Sequence, residues 1–149
     1  MRRRRAIVTA ASFALLVALL TACGGDDGGS GSAAQDPADL EGKAWILTQL
    51  LDAEGNTQIV DIGVNAEFDG STINGVSGCN SYNATYEATG DQISFGPIAG
   101  TQKICPPDEQ DVEDRYLQLL EGAATYAIEG RSMSMNDAEG TPVLQFSQG

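Results

Sequence analysis

At 149 residues, 42% of them hydrophobic, the chain has room for one modest core beside a targeting segment. Its 21 acidic residues outnumber eight basic ones, and Arg2, Arg3, Arg4 and Arg5 supply half of the eight. Beyond residue 22 only Lys43, Lys103, Arg115 and Arg131 stand against all the acids, a balance that excludes nucleic acid and anionic headgroups as direct ligands.

The N-terminus reads as an address. The four arginines form a positive region, and an apolar run follows from Ala6 to Leu20. That run is too short for a comfortable membrane span, which takes about 20 apolar residues, and fits the core of an export signal. Leu20-Thr21-Ala22-Cys23 resembles the lipobox of bacterial lipoprotein signal peptides. The resemblance implies a signal peptide over residues 1–22, cleavage before Cys23 and lipid on its thiol. Each buried methylene contributes about 0.8 kcal/mol, and two acyl chains make a stable anchor where one is marginal. The expected location is the exported side of the cell membrane. The mature chain is held there through lipid on Cys23, facing an unidentified envelope protein.

Residues 24–38, GGDDGGSGSAAQDPA, carry no apolar periodicity and read as a solvated tether. From residue 39 the pattern has period two. Trp45, Leu47 and Gln49 alternate with Ile46, Thr48 and Leu50, predicting a central strand with both faces apolar. Val64, Ala66 and Phe68 form the next inward row, and Asp69-Gly70 turns the chain toward Ser71–Val76. Thr85–Ala88 and Gln92–Phe95 flank Thr89-Gly90-Asp91, a hairpin signature. Tyr126 with Ile128, Met133 with Met135, and Leu144 with Phe146 predict a closing three-stranded meander.

One segment has helical spacing instead. After Pro106-Pro107, Val112, Tyr116, Leu119 or Leu120, and Ala123 recur on one face, with Asp108 as expected N-cap and Gly122 as stop. Asp111 and Arg115 stand at i, i+4. Asp108, Glu109, Asp111, Glu113 and Asp114 lack the spacing of a calcium loop and read as solvated acids that favour the helix dipole. The predicted fold is α+β: a curled antiparallel sheet, half-barrel-like, with one main helix packed against it.

The most distinctive residues are Asn74-Gly-Val-Ser-Gly-Cys-Asn-Ser-Tyr-Asn83 with Tyr86, then Thr101-Gln-Lys-Ile-Cys105-Pro106. With Gly42 and Trp45, this pattern resembles the META domain family, the HslJ-like proteins, over residues 39–149. Gly78, Cys79, Asn80 and Tyr82 match its core motif. Thr101 and Cys105 match a later element, and Glu113 matches the acid common in its helix. Lys103-Ile104 departs from the methionine or alanine usual before the second cysteine. The resemblance implies a small mixed domain, often on lipoproteins, sometimes linked to heat shock, envelope stress or novobiocin tolerance. It implies no reaction.

Two readings of the motif stand side by side. In one, Gly78, Asn80, Tyr82 and Thr101 form a recognition surface. In the other they hold a corner of the fold: Gly75 and Gly78 permit a sharp bend, Asn80 and Asn83 bond nearby backbone, and Tyr82 and Tyr86 bury rings while keeping a hydroxyl wet. Lipidation of Cys23 leaves Cys79 and Cys105 as an even pair in an oxidising setting, where a disulfide is expected. The closed loop of about 26 residues would restrict the unfolded chain by ~3.5 kcal/mol.

The chain has no histidine. That removes Ser-His-Asp and Cys-His systems and the usual zinc sites. No phosphate-binding glycine loop or dinucleotide fingerprint is present, and nothing selects two of the 21 acids as a glycosidase pair. The expectation is a non-enzymatic envelope module acting through protein contacts, with no cofactor and no metal. The alternative is a carrier of the pilot-protein type, in which Met133, Met135, Phe95 and Phe146 line a pocket for an apolar ligand instead of closing a dry core.

Overall fold

In the computed structural model, which describes residues 35–149, period-two alternation becomes ten strands. The signal peptide, Cys23 and most of the tether lie outside the described residues. The strands are β1 (Ala44–Leu51), β2 (Thr57–Ile59), β3 (Asn65–Asp69), β4 (Thr72–Val76), β5 (Ser81–Thr89), β6 (Gln92–Phe95), β7 (Ala99–Gly100), β8 (Thr125–Glu129), β9 (Ser132–Asn136) and β10 (Pro142–Gln148). One helix, α1 (Pro107–Glu121), stands between β7 and β8.

The sheet closes on itself. Its ring runs β1-β3-β4-β5-β6-β8-β9-β10 and returns to β1, every pairing antiparallel. The expected half-barrel is therefore corrected to a closed eight-stranded barrel. The closing pair is the first strand on the last, with Trp45 opposite Gln148, Leu47 opposite Phe146 and Leu50 opposite Leu144. Closure removes the open edges that a curled sheet would expose. The short β2 continues the edge of β1 beside β3, and β7 continues that of β5 beside β6. The thinnest seam is between β6 and β8, which meet at Gln92 opposite Thr125.

Inward side chains fill the ring. Trp45, Leu47, Ala66, Phe68, Ile73, Tyr82, Tyr86, Ile93, Tyr126, Met133, Met135, Leu144 and Phe146 are all buried. Strict alternation fails at two bulges. One between Leu47 and Gln49 turns Leu50 inward in place of Gln49; the other lets consecutive Val143 and Leu144 both be buried. Ile46 points out and is partly exposed, so β1 is apolar on one face, not two.

Helix α1 follows the predicted period, burying Tyr116, Leu119 and Leu120, and Ala123 just beyond it. The Tyr116 ring packs edge-on against Tyr82 of β5 at 5.6 Å and Phe146 of β10 at 6.4 Å between centroids. Two expectations for the helix change. Pro106, not Asp108, is the N-cap, with no side-chain capping bond, because Pro107 already fills the first helical position. Arg115 donates to the carbonyls of Leu51 (2.6 Å) and Asp52 (2.7 Å), fastening the helix to the end of β1, and makes no ion pair with Asp111.

The opposite mouth is closed by the last residues read as tether together with the first two beyond them. Asp36 caps a 3-10 turn at Pro37–Asp39, and the Gln35 side chain accepts the Ile128 N–H at 2.9 Å. Leu40 is fully buried, and its carbonyl accepts the Trp45 indole N–H at 3.0 Å. All four basic residues of the described region bond backbone carbonyls: Lys43 that of Asp39, Lys103 that of Cys79, Arg115 those above and Arg131 that of Gln148. Among described residues the sole ion pair is Lys43 with Asp39, at 3.9 Å. The acidic surface therefore stays largely uncompensated.

Candidate functional site

The family-like residues meet where β4 passes into β5. Gly78 makes the bend, with φ at 111°, where an L side chain is strained; a Cβ there would also press on Ile62. Beyond it, Cys79 is joined to Cys105 by a disulfide with Cα atoms 6.0 Å apart. The pairing expected from the cysteine count is thus present, and it ties this bend to the start of α1.

Asn80 is the hub. Its side-chain oxygen accepts the Thr101 hydroxyl and the Lys103 backbone N–H, both at 2.8 Å. Its amide nitrogen donates to Glu113 at 2.8 Å and to the Cys105 sulfur at 3.4 Å. Thr101 Oγ1 in turn accepts the Ser81 N–H at 3.2 Å. One amide side chain, 4% exposed, thereby joins the bend, the β7–α1 loop and the helix.

Glu113 holds the corner from the helix side. It accepts the Ser77 hydroxyl at 2.6 Å, the Asn80 N–H at 2.9 Å and the Asn80 amide. The acid read as solvated is therefore buried, 6% exposed, while Asp108, Asp111 and Asp114 are exposed and Glu109 is half-buried. Burial alone pushes its carboxyl up. The bonds from Ser77, from the Asn80 side chain and backbone, and from the Cys79 N–H outweigh that and hold it below the ordinary glutamate value.

The tyrosines lie deeper. The Tyr82 hydroxyl meets that of Tyr116 at 2.6 Å and bonds the Asn65 carbonyl at 3.1 Å. It is buried, not wet, and burial raises both phenols well above the ordinary tyrosine value. Tyr86 is buried too, with its hydroxyl 3.5 Å from Glu41. Asn83 lies within β5 opposite Asn74, not in a turn.

Burial sorts the two readings of the motif. Asn80 and Tyr82 lie beneath the surface, Gly78 is half-buried, and Thr101 alone of the four is exposed. Asn80 and Tyr82 form a buried support. What it supports is exposed: Gln102, Lys103 and Ile104 form the surface loop that Asn80 and the disulfide hold. Sequence reading passed over Ile104 as a family departure; its signal was an aliphatic residue beside a pinned cysteine. Among described residues no three His, Cys, Asp or Glu side chains gather as a metal site would need.

Comparison with known proteins adds a family and a fold. The family model described as META domain matches residues 38–149. A solution structure of a protein from Burkholderia xenovorans is similar at 24% identity and TM-score 0.63, covering 82% of this chain and 96% of that one. A DUF4847 family protein from Bacteroides vulgatus is similar at 15% identity and TM-score 0.53, over 72% and 93% of the two chains. No curated protein matches.

Proposed function

Because the chain belongs to the META domain family, we propose that it is a membrane-anchored envelope lipoprotein whose barrel works without catalysis, through contacts with other envelope proteins. The anchor rests on the arginine cluster, the apolar run and the Leu20–Cys23 lipobox pattern. Envelope maintenance or stress response is the role that the family resemblance supports.

The observation that carries the protein-contact reading is the filled interior. Trp45, Phe68, Tyr116, Tyr126, Phe146, Met133 and Met135 are among its largest fully buried side chains, and they occupy the space that a carrier would give to an acyl tail. The acidic surface supports contact with proteins over direct contact with anionic lipid.

Two measurements test this reading. Feeding cells an alkyne palmitate should label the wild-type chain and leave Cys23→Ala unlabelled; equal labelling, or none, removes the anchor. Native mass spectrometry of the chain recovered from envelopes should give the mass of the lipidated protein alone. An apolar ligand released on denaturation would replace the contact module with a carrier.

A further inference from the structure

Beyond β7 (Ala99–Gly100), residues 101–106 cross the surface with no helix, turn or bend. The Thr101 N–H continues the pairing of β7 by donating to the Ser81 carbonyl at 3.0 Å. Pro106 lies at φ −54°, ψ 146°, and a proline disfavours helical geometry in the residue before it, here Cys105. Ile104 is fully exposed, the most exposed large apolar side chain of the described region.

The segment is fastened on both sides of Ile104. Before it, Asn80 Oδ1 holds Thr101 and the Lys103 N–H. After it, Cys105 is bonded to Cys79, the residue preceding Asn80. The Lys103 N–H thus faces inward, while the main-chain groups of Gln102 and Ile104 make no hydrogen bond among the described residues. This is how a segment prepared to pair with an extended-peptide cleft is arranged: outward groups unpaired, inward groups fixed, and the ordering cost already met during folding.

We propose that Gln102–Cys105 is a substrate-like inhibitory loop for an elastase-type serine endopeptidase, with Ile104 in the primary specificity pocket and Ile104–Cys105 as the bond presented. The proposal rests on the reading of the domain as a protein-contacting module and names the partner. A short aliphatic side chain suits a small apolar pocket, not one floored by a carboxylate. Lys103, with its N–H turned inward, is not presented.

The anchors also explain why such a bond would resist turnover. Attack of the peptidase serine oxygen on the Ile104 carbonyl carbon breaks the bond to the Cys105 nitrogen, which takes the serine proton through the peptidase base. In a free peptide the new amine diffuses away and water hydrolyses the acyl-enzyme. Here the disulfide keeps Cys105 beside the acyl carbon, so the amine attacks back, re-forms the peptide bond and returns the proton.

The test uses the chain from Gly24 onward, which contains every strand and the helix, with pancreatic elastase and a chromogenic peptide. The expected result is inhibition at about micromolar concentration or below, with slow cleavage at Ile104–Cys105 whose fragments separate only on reduction. No inhibition, or rapid cleavage without inhibition, overturns the proposal. Ile104→Gly should weaken inhibition by about 30-fold or more, and Ile104→Lys should transfer it to trypsin. Because this side chain is exposed, both variants should unfold at the wild-type temperature; unchanged inhibition by Ile104→Gly also overturns the loop. Asn80→Ala, if folded by circular dichroism, should turn the inhibitor into a substrate. Neither palmitate labelling nor the native mass enters this assay, so the wider reading and the loop fail separately.

Discussion

The two ends of the barrel are closed by different physical means. At the α1 end a polar, directional corner is added to the apolar packing of the helix: a buried carboxylate, an amide hub and a disulfide join three segments that are distant in sequence. At the other mouth it is apolar and local. Leu40 fills the opening five residues before the Trp45 indole that bonds its carbonyl. A polar closure fixes geometry through directional bonds but depends on protonation and redox state. An apolar closure tolerates both and fixes little beyond packing. A loop that must present itself in one conformation is better mounted on the first kind, and residues 102–104 are.

The largest effect should come from Glu113→Ala, which strips the acceptor from Ser77 and Asn80 and leaves buried donors unpaired. A loss of about 4 kcal/mol is expected in urea unfolding, and a loss below 1 kcal/mol would mean that the corner relaxes onto other acceptors. Joint replacement of Cys79 and Cys105 by serine should cost ~3.5 kcal/mol through the longer reach of the unfolded chain. The wild type with added reductant should match that variant. Leu40→Ala, at the other mouth, should cost about 3 kcal/mol, with no dependence on reductant.

Acid separates the two ends further. The folded Glu113 carboxyl titrates below its unfolded value. Its contribution is therefore complete above the unfolded glutamate pKa of about 4.3 and lost as pH falls through the lower folded value. Stability measured from pH 6 to pH 3 should fall less steeply in Glu113→Gln than in wild type, while Leu40→Ala should keep the wild-type slope. Parallel curves for all three would assign the acid sensitivity to other carboxylates.

The smallest effect is expected at Tyr126. Its hydroxyl is buried with no hydrogen-bond partner among the described residues, and burial together with Asp36, Asp39, Tyr86 and Asp91 raises the phenol to about 12. Tyr126→Phe should be neutral or stabilising by up to about 1 kcal/mol. A clear destabilisation would show that the hydroxyl has a partner in solution.

Much of the site was legible as residue types, less as roles. The cysteine count gave the disulfide, and Gly78 before Cys79 gave the bend. Glu113 was read as one solvated acid of five, because helix periodicity says which face a residue occupies but not what polar groups wait there. Tyr82 was given a wet hydroxyl for the same reason: Tyr116, its partner, is 34 residues away. The loop at Ile104 went unread because full exposure of an aliphatic residue is a property of the folded surface.

The sequence by itself determined most of the strands, the helix of the barrel domain and most of the inward rows, since each depends on periodicity within a short window. Only the tertiary structure decided that the sheet closes, that Glu113 is buried and that Asn80 fastens the Thr101–Cys105 loop. Closure depends on β1 finding β10 across nearly the whole domain, with bulges that turn Leu50 and Val143 inward against the simple alternation. Such pairings carry no local signal: they follow from how much each sheet strand twists and from which polar groups are left without water once the barrel shuts.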